Sequence, residues 1–457
     1  MDHFNRLLAK IQARQAVVAV IGLGYVGLPL AIGFARRGFK VIGVDDDLRK
    51  IEQLGLGVDY INGQNDLVKE LMGQNLSVAR EIEAVHRADV VIICVPTPLT
   101  RHREPDISYV ESVSLRIGQH LEPGSLVVLE STTFPGTTEE VVKPNIEKAN
   151  RVSRVGRDYF LAFSPERVDP GNPDYNTYNT TKVVGGVTPH CSELTKVLYE
   201  SILEGSGTVK LASSSQAAEM EKLFENIFRS VNIALVNELA VLCKAMNLHV
   251  WEVLDLADTK PFGFMRFDPG PGIGGHCIPL DPFYLTWKAR EFDLPTRFIE
   301  LAGEINSRMP YHVVELVAEA LAEKGLCGSR LFVLGVAYKR DVADARESPA
   351  LKIIELLQKR GAQVDFHDPL VDSIRLDSGT LKVQPLSAAK DYDCVILVTD
   401  HSAYDNPVVL QGVKVFVDTR GQTWKRPHPS IERLIRLGSP NQTTVPARPE
   451  EALRGTL

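Results

Sequence analysis

The stretch Ala16-Val-Val-Ala-Val-Ile-Gly22-Leu-Gly-Tyr-Val-Gly27 decides the fold of the first part of the chain. Its continuous apolar run is typical of a strand that is buried on both faces of a parallel sheet. The glycines that follow permit a tight turn, a close approach of backbone to a pyrophosphate, and close packing of the next helix. The stretch therefore predicts a dinucleotide-binding domain. We expect the cofactor to contact the turn at Gly22, Gly24, Tyr25, Val26 and Gly27.

An acid stands where such a domain binds the ribose. A second apolar run, Lys40-Val-Ile-Gly-Val44, ends in Asp45, about twenty residues beyond the glycines. A carboxylate there accepts hydrogen bonds from both ribose hydroxyls and repels a 2′-phosphate, which predicts NAD rather than NADP as the cofactor. The nearby cations Arg49 and Lys50 weaken that choice, and Lys50 is itself a candidate cofactor contact.

Length and composition limit the class of protein. A chain of 457 residues predicts two or three domains. The hydrophobic fraction of 44% is typical of a soluble globular protein, and a net charge of -7 argues against nucleic acid as the main partner. Continuous apolar runs are shorter than the ~20 residues needed to cross a bilayer, so no membrane partner is expected. Six cysteines without a CxxC pair predict no metal site and suit the cytoplasm.

Polar residues follow two further strand-like runs, residues 89–95 and 125–130. Thr97, Ser131 and Thr132 come just after these runs. Because ligands gather at the carboxyl ends of parallel strands, we expect these three residues to contact the cofactor. As isolated residues they are equally typical of turns.

A third strand-like run, residues 159–163, is followed by Ser164-Pro-Glu-Arg-Val168. This places an acid, Glu166, and a base, Arg167, at the same edge of the predicted sheet. A surface ion pair in a loop is the competing interpretation.

A long helix is predicted over residues 213–248, which have few helix breakers and helical apolar spacing. Such a helix joins two domains and packs on both. Lys222 and Asn226 are four residues apart and therefore share one face. A solvated lysine is the usual alternative at such a position.

Beyond the helix lies the stretch Gly270-Pro-Gly-Ile-Gly-Gly-His-Cys-Ile-Pro-Leu-Asp281. Glycine lets backbone come close to a ligand. Cys277 is therefore a candidate covalent nucleophile, and Asp281 is a candidate base or orienting group. A buried free cysteine beside a turn is the alternative.

The last third of the chain predicts a second small parallel sheet, with strands at residues 330–335, 364–368, 394–398 and 413–417. Its first turn reads Gly335-Val-Ala-Tyr-Lys-Arg-Asp341 and lacks the GxGxxG spacing. We expect this domain to hold a nucleotide with cationic side chains.

Five motifs stand out: Gly22-Leu-Gly-Tyr-Val-Gly-Leu-Pro29, Ser164-Pro-Glu166, Glu221-Lys222 with Asn226, Gly274-Gly-His-Cys277, and Tyr338-Lys339 with Arg346-Glu-Ser-Pro349. The last four are specific in combination. Together they resemble the nucleotide-sugar 6-dehydrogenases, the family of the UDP-glucose and UDP-N-acetylhexosamine dehydrogenases. The resemblance runs from Val17 to Arg426. The Gly-Gly-His-Cys-Ile-Pro-Leu-Asp-Pro form is most similar to the bacterial UDP-N-acetylglucosamine branch.

The resemblance implies an NAD-dependent, four-electron oxidation of a sugar C6 alcohol to a carboxylate, through a thiohemiacetal and a thioester on the cysteine. It assigns catalysis to Cys277, Lys222, Asp281, Asn226, Glu166 and Thr132. It assigns the UDP-sugar to Glu166, Arg167, Val168, Lys222, Gly275, Tyr338, Lys339 and Arg420, and places Arg346 toward the cofactor. It also implies a homodimer or larger homo-oligomer assembled through the central helix.

The predicted fold class is α/β, with two Rossmann-like parallel-sheet domains joined by a long central helix. Residues 1–212 are expected to bind NAD, and residues 213–325 to form a helical linker and dimerisation domain with the cysteine loop. Residues 326–437 are expected to bind the UDP-sugar, and residues 438–457 to form a flexible tail.

Several alternatives stay open at this point. UDP-N-acetylglucosamine is the expected substrate, and its mannosamine and galactosamine counterparts and UDP-glucose are the others. Arg266-Phe-Asp268 stands where the resembling branch often has Pro-Phe-Tyr, which leaves the hexosamine undecided. A two-electron dehydrogenase of the hydroxyacid type would give Cys277 no role. A catalytically silent nucleotide-sugar sensor would not need its reactive groups.

Overall fold

The computed structural model describes residues 2–61, 63–100, 104–149, 154–169, 171–172, 174–275, 278, 280–426 and 431–441. The chain divides into two compact units. Unit 1 comprises Met1–Glu225 and Phe283–Pro295, and unit 2 comprises Asn226–Pro282 and Thr296–Leu457. The first boundary falls inside the long helix Ser215–Ala245, so the helix predicted as a linker contributes residues to both units.

Unit 1 is built on one large sheet. Its strands are β1 Val17–Ile21, β2 Lys40–Val44, β3 Leu76–Ala79, β4 Val90–Ile93, β5 Leu126–Leu129, β6 Phe160–Phe163, β7 Lys182–Gly186 and β8 Val209–Leu211. Their order in the sheet is β3-β2-β1-β4-β5-β6-β7-β8, and all neighbours pair in parallel except β6 with β7. The central strands consist of aliphatic and aromatic residues that are buried on both faces, as expected for a parallel sheet.

Helices cover both faces of this sheet. They are α1 His3–Gln12, α2 Gly27–Arg36, α3 Leu48–Gly55, α4 Asn65–Met72, α5 Ser108–His120, α6 Lys143–Ala149, α7 Pro189–Glu200 and the first part of α8 Ser215–Ala245. Successive side chains of β1 enter different apolar clusters. Val18 and Val20 pack with residues of α1, α2 and α7, whereas Ala19 and Ile21 pack with residues of α5 and α6. This alternation makes unit 1 a doubly wound sheet.

Unit 2 contains a smaller parallel sheet and a hairpin. Its helices are α9 Val250–Asp258, α11 Arg297–Leu321, α12 Pro349–Lys359 and α13 Gln422–Lys425, and α10 Asp281–Ala289 begins in it and continues in unit 1. Its strands are β9 Arg330–Leu334, β10 Gln363–His367, β11 Ser373–Leu376, β12 Gly379–Lys382, β13 Cys394–Leu397, β14 Val415–Asp418 and β15 Arg433–Arg436. The sheet has the order β10-β9-β13-β14-β15, and β11 pairs only with β12.

Local signals explain where key helices begin and meet. Ser348 caps α12 by accepting a hydrogen bond from the Ala350 N–H at 3.2 Å, and Pro349 occupies the first helical position, where it costs no hydrogen bond. Within unit 2, α8 and α11 share a buried polar contact. The Asn237 side-chain amide donates to Asn306 Oδ1 at 3.0 Å, and Asn306 donates to the Ser230 carbonyl at 3.0 Å. These bonds fix the register of the two helices.

The predicted fold class, with two Rossmann-like sheets and a long central helix, is confirmed. The tail predicted from residue 438 differs at its start, because the Gly438 carbonyl accepts a hydrogen bond from Val250 N–H at 2.8 Å and Ser439 is buried. Residues 442–457 of that tail lie outside the described residues.

By length and average hydropathy α8 could cross a membrane, and it is the single such helix in the part of the chain that the structure describes. The expectation from sequence rested on continuous apolar runs, which charged residues such as Lys222 and Arg229 interrupt in this helix. Core helices of soluble proteins pass the same test, so this is weak evidence for a membrane span.

Candidate active site

The glycine turn of unit 1 forms a cradle with one open side. Gly22 has φ +89°, and a Cβ at this position would lie 2.4 Å from the Cys94 carbonyl oxygen. A Cβ on Gly27 would lie 1.9 Å from the Gly22 carbonyl oxygen. A Cβ on Gly24 would meet nothing within 4 Å. Gly22 and Gly27 are therefore required by the fold, whereas Gly24 leaves space for a ligand to approach the backbone.

The N-terminus of α2 follows this cradle directly. Val26 precedes the helix, and within the described residues it makes no side-chain capping hydrogen bond. The first N–H groups of a helix attract phosphate because they lack partners within the helix and carry the positive end of its dipole. The turn thus fits a dinucleotide pyrophosphate, as the sequence predicts.

Asp45 is buried at the end of β2 and already holds three donors. Its Oδ2 accepts from Leu23 N–H at 2.8 Å and from Lys50 Nζ at 2.7 Å, and its Oδ1 accepts from Asp47 N–H at 3.0 Å. A carboxylate offers about four acceptor positions. Binding both ribose hydroxyls therefore requires Lys50 to share or release its position, which sequence spacing did not reveal.

The predicted cofactor residues at the ends of β4 and β5 are joined by hydrogen bonds. Thr97 Oγ1 donates to the Thr132 carbonyl at 2.7 Å, and Ser131 Oγ donates to the Val95 carbonyl at 2.7 Å. Tyr284, which belongs to unit 1, donates its hydroxyl to the Thr97 carbonyl at 2.7 Å. The structure brings the three predicted residues together and adds Tyr284, for which the sequence offered no signal.

Glu166 is held at the end of β6 by three donors. Its Oε1 accepts from the N–H groups of Arg167 and Val168, each at 2.9 Å. Its Oε2 lies 3.3 Å from the ammonium of Lys182, a buried residue at the start of β7. Lys182 was missed because a lysine before an apolar run is also typical of a solvated strand end.

Arg167 pairs with acids of α8. Its guanidinium donates to the Glu225 carboxylate and to the Thr181 carbonyl, the latter at 2.8 Å, and lies 3.4 Å from Glu221. The competing interpretation of a surface ion pair in a loop is therefore wrong, because Arg167 is half-buried and its acidic hydrogen-bond and ion-pair partners lie on the helix beside Lys222.

Two carboxyl groups flank the buried Lys222 on α8. Burial and the hydrogen bond to Glu225 raise the pKa of Glu221 to about 7. Burial acts to raise the pKa of Glu225 as well, but hydrogen bonds from Arg167 and Glu221 outweigh it and lower that pKa below its usual range. The two acids therefore share a proton near neutral pH.

In unit 2 the glycine-rich loop lies against two predicted UDP-sugar residues. Gly275 has φ +89°, and a Cβ there would lie 3.0 Å from the Tyr338 ring. A Cβ on Gly274 would lie 2.9 Å from Tyr338 Cβ, and one on Gly270 would lie 2.8 Å from Arg420 Nη1. The loop is fixed to α8 by the hydrogen bond from Gly270 N–H to Asn237 Oδ1 at 2.9 Å. Gly274 is constrained most, because a Cβ there would also lie 2.8 Å from the Glu347 carbonyl oxygen, and Gly275 is favoured by its left-handed backbone; at Gly270 the nearest atom is the end of a flexible side chain.

Asp281 begins α10 and is buried in unit 2. Its carboxylate accepts a hydrogen bond from the side-chain amide of Asn226 on α8. Two predicted catalytic residues that are 55 positions apart in sequence are thus in contact. Cys277, the predicted nucleophile, lies outside the described residues, as do His276 and Pro279.

The remaining predicted residues of unit 2 lie in two loops. Arg346 donates from Nε and Nη2 to Asp344, at 3.0 and 2.8 Å, and the Asp344 carbonyl accepts from Tyr338 N–H at 2.8 Å. Lys339, next to Tyr338, is half-buried. Arg420 donates from Nε to the Val398 carbonyl at 2.7 Å, and burial lowers its pKa from its usual value.

Comparison with known proteins accounts for this arrangement. Three domains of the UDP-glucose/GDP-mannose dehydrogenase family match successive parts of the chain: the NAD binding domain over residues 16–203, the central domain over 216–308 and the UDP binding domain over 332–425. The chain belongs to the UDP-glucose/GDP-mannose dehydrogenase family. It is an NAD-dependent UDP-sugar dehydrogenase, which confirms the predicted enzyme class and cofactor.

Relatives in this family differ in the sugar that their names give. The UDP-N-acetyl-D-mannosamine dehydrogenase of Methanococcus aeolicus is 36% identical over 85% of this chain and 85% of that protein. The UDP-N-acetyl-D-glucosamine 6-dehydrogenase of Pseudomonas aeruginosa is 36% identical over 85% of this chain and 91% of that protein. The structure of the UDP-D-ManNAc dehydrogenase of Pyrococcus horikoshii matches with a TM-score of 0.83 at 33% identity, covering 92% of this chain and 99% of that one.

Proposed function

We propose that this dehydrogenase oxidises the C6 alcohol of UDP-N-acetylglucosamine to the carboxylate, through a thiohemiacetal and a thioester on Cys277. The observation that carries the proposal is the hydrogen bond from Asn226 to the buried Asp281, four residues beyond Cys277. A fixed, buried carboxylate close in sequence to a thiol supports proton transfer next to covalent capture. A two-electron dehydrogenase would give Cys277 no role.

The first step removes the proton of the C6 hydroxyl group and a hydride from C6. When bound, NAD accepts the hydride in each of the two oxidations. Asp281, with Thr132 and a water, accepts the hydroxyl proton. Lys222 and Asn226 stabilise the negative charge that develops on the C6 oxygen.

The second step needs the aldehyde to stay bound. The Cys277 thiolate adds to the C6 carbonyl to give a thiohemiacetal. The second oxidation of C6 removes a hydride and the hydroxyl proton from this thiohemiacetal and gives a thioester. Water then attacks the thioester, with Glu166 as general base, and releases the carboxylate and the free thiol. The complete reaction consumes two NAD and one water per sugar.

The UDP group is assigned to unit 2 and the residues that follow β6. Tyr338, Lys339 and Arg420 supply one aromatic and two cationic groups, and cations suit a diphosphate. The loop at Gly275 supports the assignment because it lies against Tyr338. Arg167 and Val168 are also proposed to contact the UDP-sugar. The charge of Arg167 is largely offset by acids of α8.

UDP-N-acetylmannosamine is the second candidate substrate, since relatives at 36% identity carry both names. The Gly-Gly-His-Cys-Ile-Pro-Leu-Asp-Pro form favours the glucosamine sugar. Arg266 and Asp268 in the preceding loop depart from that branch and leave the choice between the two sugars to experiment.

The test counts NADH formed per sugar consumed, with each of four substrates in turn: UDP-N-acetylglucosamine, UDP-N-acetylmannosamine, UDP-N-acetylgalactosamine and UDP-glucose. We expect two NADH and one uronic acid per sugar, with the glucosamine substrate preferred. Preference for another of the four would correct the sugar and leave the chemistry intact. One NADH per sugar would refute the thioester route.

Two variants of Cys277 test the covalent mechanism directly. Cys277→Ala is expected to form no uronic acid while still binding NAD, because the aldehyde has no thiol to capture it. Cys277→Ser is expected to stop at an ester-like intermediate, since an alkoxide is a poorer leaving group than a thiolate. Wild-type acid formation by Cys277→Ala would contradict the covalent mechanism.

We further propose that the enzyme is a cytoplasmic homodimer or larger homo-oligomer assembled along α8. Phe228, Leu235 and Leu242 recur every seven residues and are 43%, 63% and 53% exposed, so one apolar stripe faces outward. A second copy of the same helix would cover it. Light scattering should give at least twice the mass of 50.5 kDa, and Leu235→Glu should lower it. A monomeric wild type would exclude the assembly.

A further inference from the structure

A buried ionic cluster lies beneath Glu166 in unit 1, and the proposed chemistry does not use it. Lys182 is 2% exposed, and its Nζ lies 3.0 Å from Glu130 Oε1 and 3.3 Å from Glu166 Oε2. Glu130 follows β5 and is also buried. Tyr199 on α7 donates its hydroxyl to Glu130, and the Lys182 ammonium lies 4.8 Å from the centre of its ring.

The charges of this cluster do not cancel. Two carboxylates and one ammonium leave one negative charge in a site where Glu130 and Lys182 are buried and the Glu166 side chain is only 10% exposed, and uncompensated buried charge is costly. Burial raises the pKa of Glu130, against the opposing effect of Lys182. Glu130 Oε2 has no hydrogen-bond partner among the described residues. Such a site is retained at a cost to stability, which points to a functional reason for it.

The other titratable groups around the cluster are few. The Cys94 thiol at the end of β4 has its pKa raised by burial first and by Glu130 next. Arg167 interacts electrostatically with Glu166 from the adjoining loop. Among the described residues, Lys182 donates hydrogen bonds to Glu130, Glu166 and the Pro165 carbonyl, and to neither Cys94 nor Arg167. Lys182 is therefore the group that links the two carboxylates.

We propose that Lys182 is a positioning residue for the reaction: its ammonium, anchored by Glu130, fixes the carboxylate of Glu166 at the carboxyl end of β6. The two main-chain donors hold Oε1, and Lys182 holds Oε2, so together they fix one orientation of the carboxylate. A base that activates water needs such fixed geometry, because a displacement of about 1 Å can cost about 100-fold in rate. The inference rests on the proposed role of Glu166.

Three variants of the full-length enzyme test this. Lys182→Met keeps the length of the side chain and removes its charge. The double variant Lys182→Met/Glu130→Gln keeps the net charge of the cluster at one negative, so it avoids adding uncompensated charge to the core. Lys182→Arg keeps a cation. The matched control is Lys210→Met, at an exposed position in the neighbouring strand β8.

The readouts separate positioning from a purely structural role. In either folded Met variant we expect kcat to fall on the order of 100-fold with a nearly unchanged KM for the UDP-sugar. Lys182→Arg should recover most of kcat, and Lys210→Met should behave as wild type.

Two results would overturn the inference. One is a folded Met variant with the kcat of the wild type. The other is loss of folding in both Met variants, by thermal unfolding, with Lys182→Arg unaffected in every respect, which would make the residue structural only. Failure of the proposed function is recognised separately, because the wild type itself would then form no uronic acid from any of the four UDP-sugars.

Discussion

Two glycines of the same turn should fail in different ways when each is replaced by alanine. In Gly22→Ala the new Cβ would lie 2.4 Å from the Cys94 carbonyl oxygen, at φ +89°. The left-handed conformation costs about 1–2 kcal/mol and overpacking against backbone costs about 1–3 kcal/mol. The sum is about 2–5 kcal/mol of unfolding free energy. For a unit of about 150–250 residues this lowers the melting temperature by about 4–20 °C.

Gly24→Ala should leave stability unchanged and weaken cofactor binding. Its Cβ would meet no atom within 4 Å, so the free energy of unfolding should change by less than about 0.5 kcal/mol. The same Cβ would keep the backbone from a pyrophosphate oxygen. Losing one hydrogen bond to a charged group costs about 1.5–3 kcal/mol, which weakens NAD binding about 10- to 150-fold.

The assay pairs thermal unfolding without ligand and titration of NAD by quenching of intrinsic fluorescence, for both variants and wild type. Gly22→Ala is expected to melt early, and Gly24→Ala to melt with the wild type and bind NAD weakly. Wild-type affinity in Gly24→Ala would show that the pyrophosphate does not approach this backbone. A wild-type melting temperature in Gly22→Ala would refute the steric argument.

Three further predictions concern single acids and one cation. Asp45→Asn should weaken NAD binding, and Lys50→Met should widen the preference for NAD over NADP by removing the cation that offsets Asp45; the two dissociation constants check both. Glu221 has its pKa raised in the folded enzyme, so the wild type should lose stability relative to Glu221→Gln as pH rises from about 4.5 to about 7, measured as melting temperatures at pH 5, 6, 7 and 8. Asp281→Asn should lower kcat on the order of 100-fold with little change in KM for the UDP-sugar.

The sequence predicted the strands that are continuous apolar runs well, and the strands that include polar residues or glycines poorly. Strands β1, β4 and β9 are continuous apolar runs because both of their faces are buried, and this leaves a strong signal. Strands β7 and β8 begin beside lysines, end near glycines or exposed residues, and leave almost none. The cost of missing β7 was functional, since Lys182 begins this strand and holds Glu166.

Candidate site residues can be identified one by one from the sequence, but their pairings cannot. Spacing placed Lys222 and Asn226 on one face of a helix because helical periodicity is local. The contact of Arg167 with Glu225 joins residues 58 positions apart, and only the tertiary packing of unit 1 brings the segment after β6 to α8. Sequence patterns therefore identify which groups are available, while tertiary packing decides which of them neutralise each other.

The turn after the first strand shows that both units solve one steric problem in one way. In unit 1 a Cβ on Gly22 would lie 2.4 Å from the Cys94 carbonyl, and in unit 2 a Cβ on Gly335 would lie 2.1 Å from the Thr399 carbonyl. In each unit the carbonyl belongs to the segment that follows the neighbouring strand. The close approach follows from the parallel sheet itself, so a glycine here indicates the fold and does not by itself indicate a nucleotide.

The acid after the second strand separates the two units in function. Asp368 occupies in unit 2 the place that Asp45 occupies in unit 1, but it accepts from the N–H groups of Val336 and Ala337 at 2.7 and 3.0 Å. It also accepts from His401 Nε2 at 3.1 Å, because His401 Nδ1 is itself the acceptor of a main-chain N–H. These bonds fix the turn and occupy Asp368 Oδ2, the oxygen that would otherwise accept a hydrogen bond from a ribose hydroxyl. A nucleotide bound to unit 2 would then be recognised by groups outside this crevice, which agrees with the absence of GxGxxG spacing in the turn that begins at Gly335.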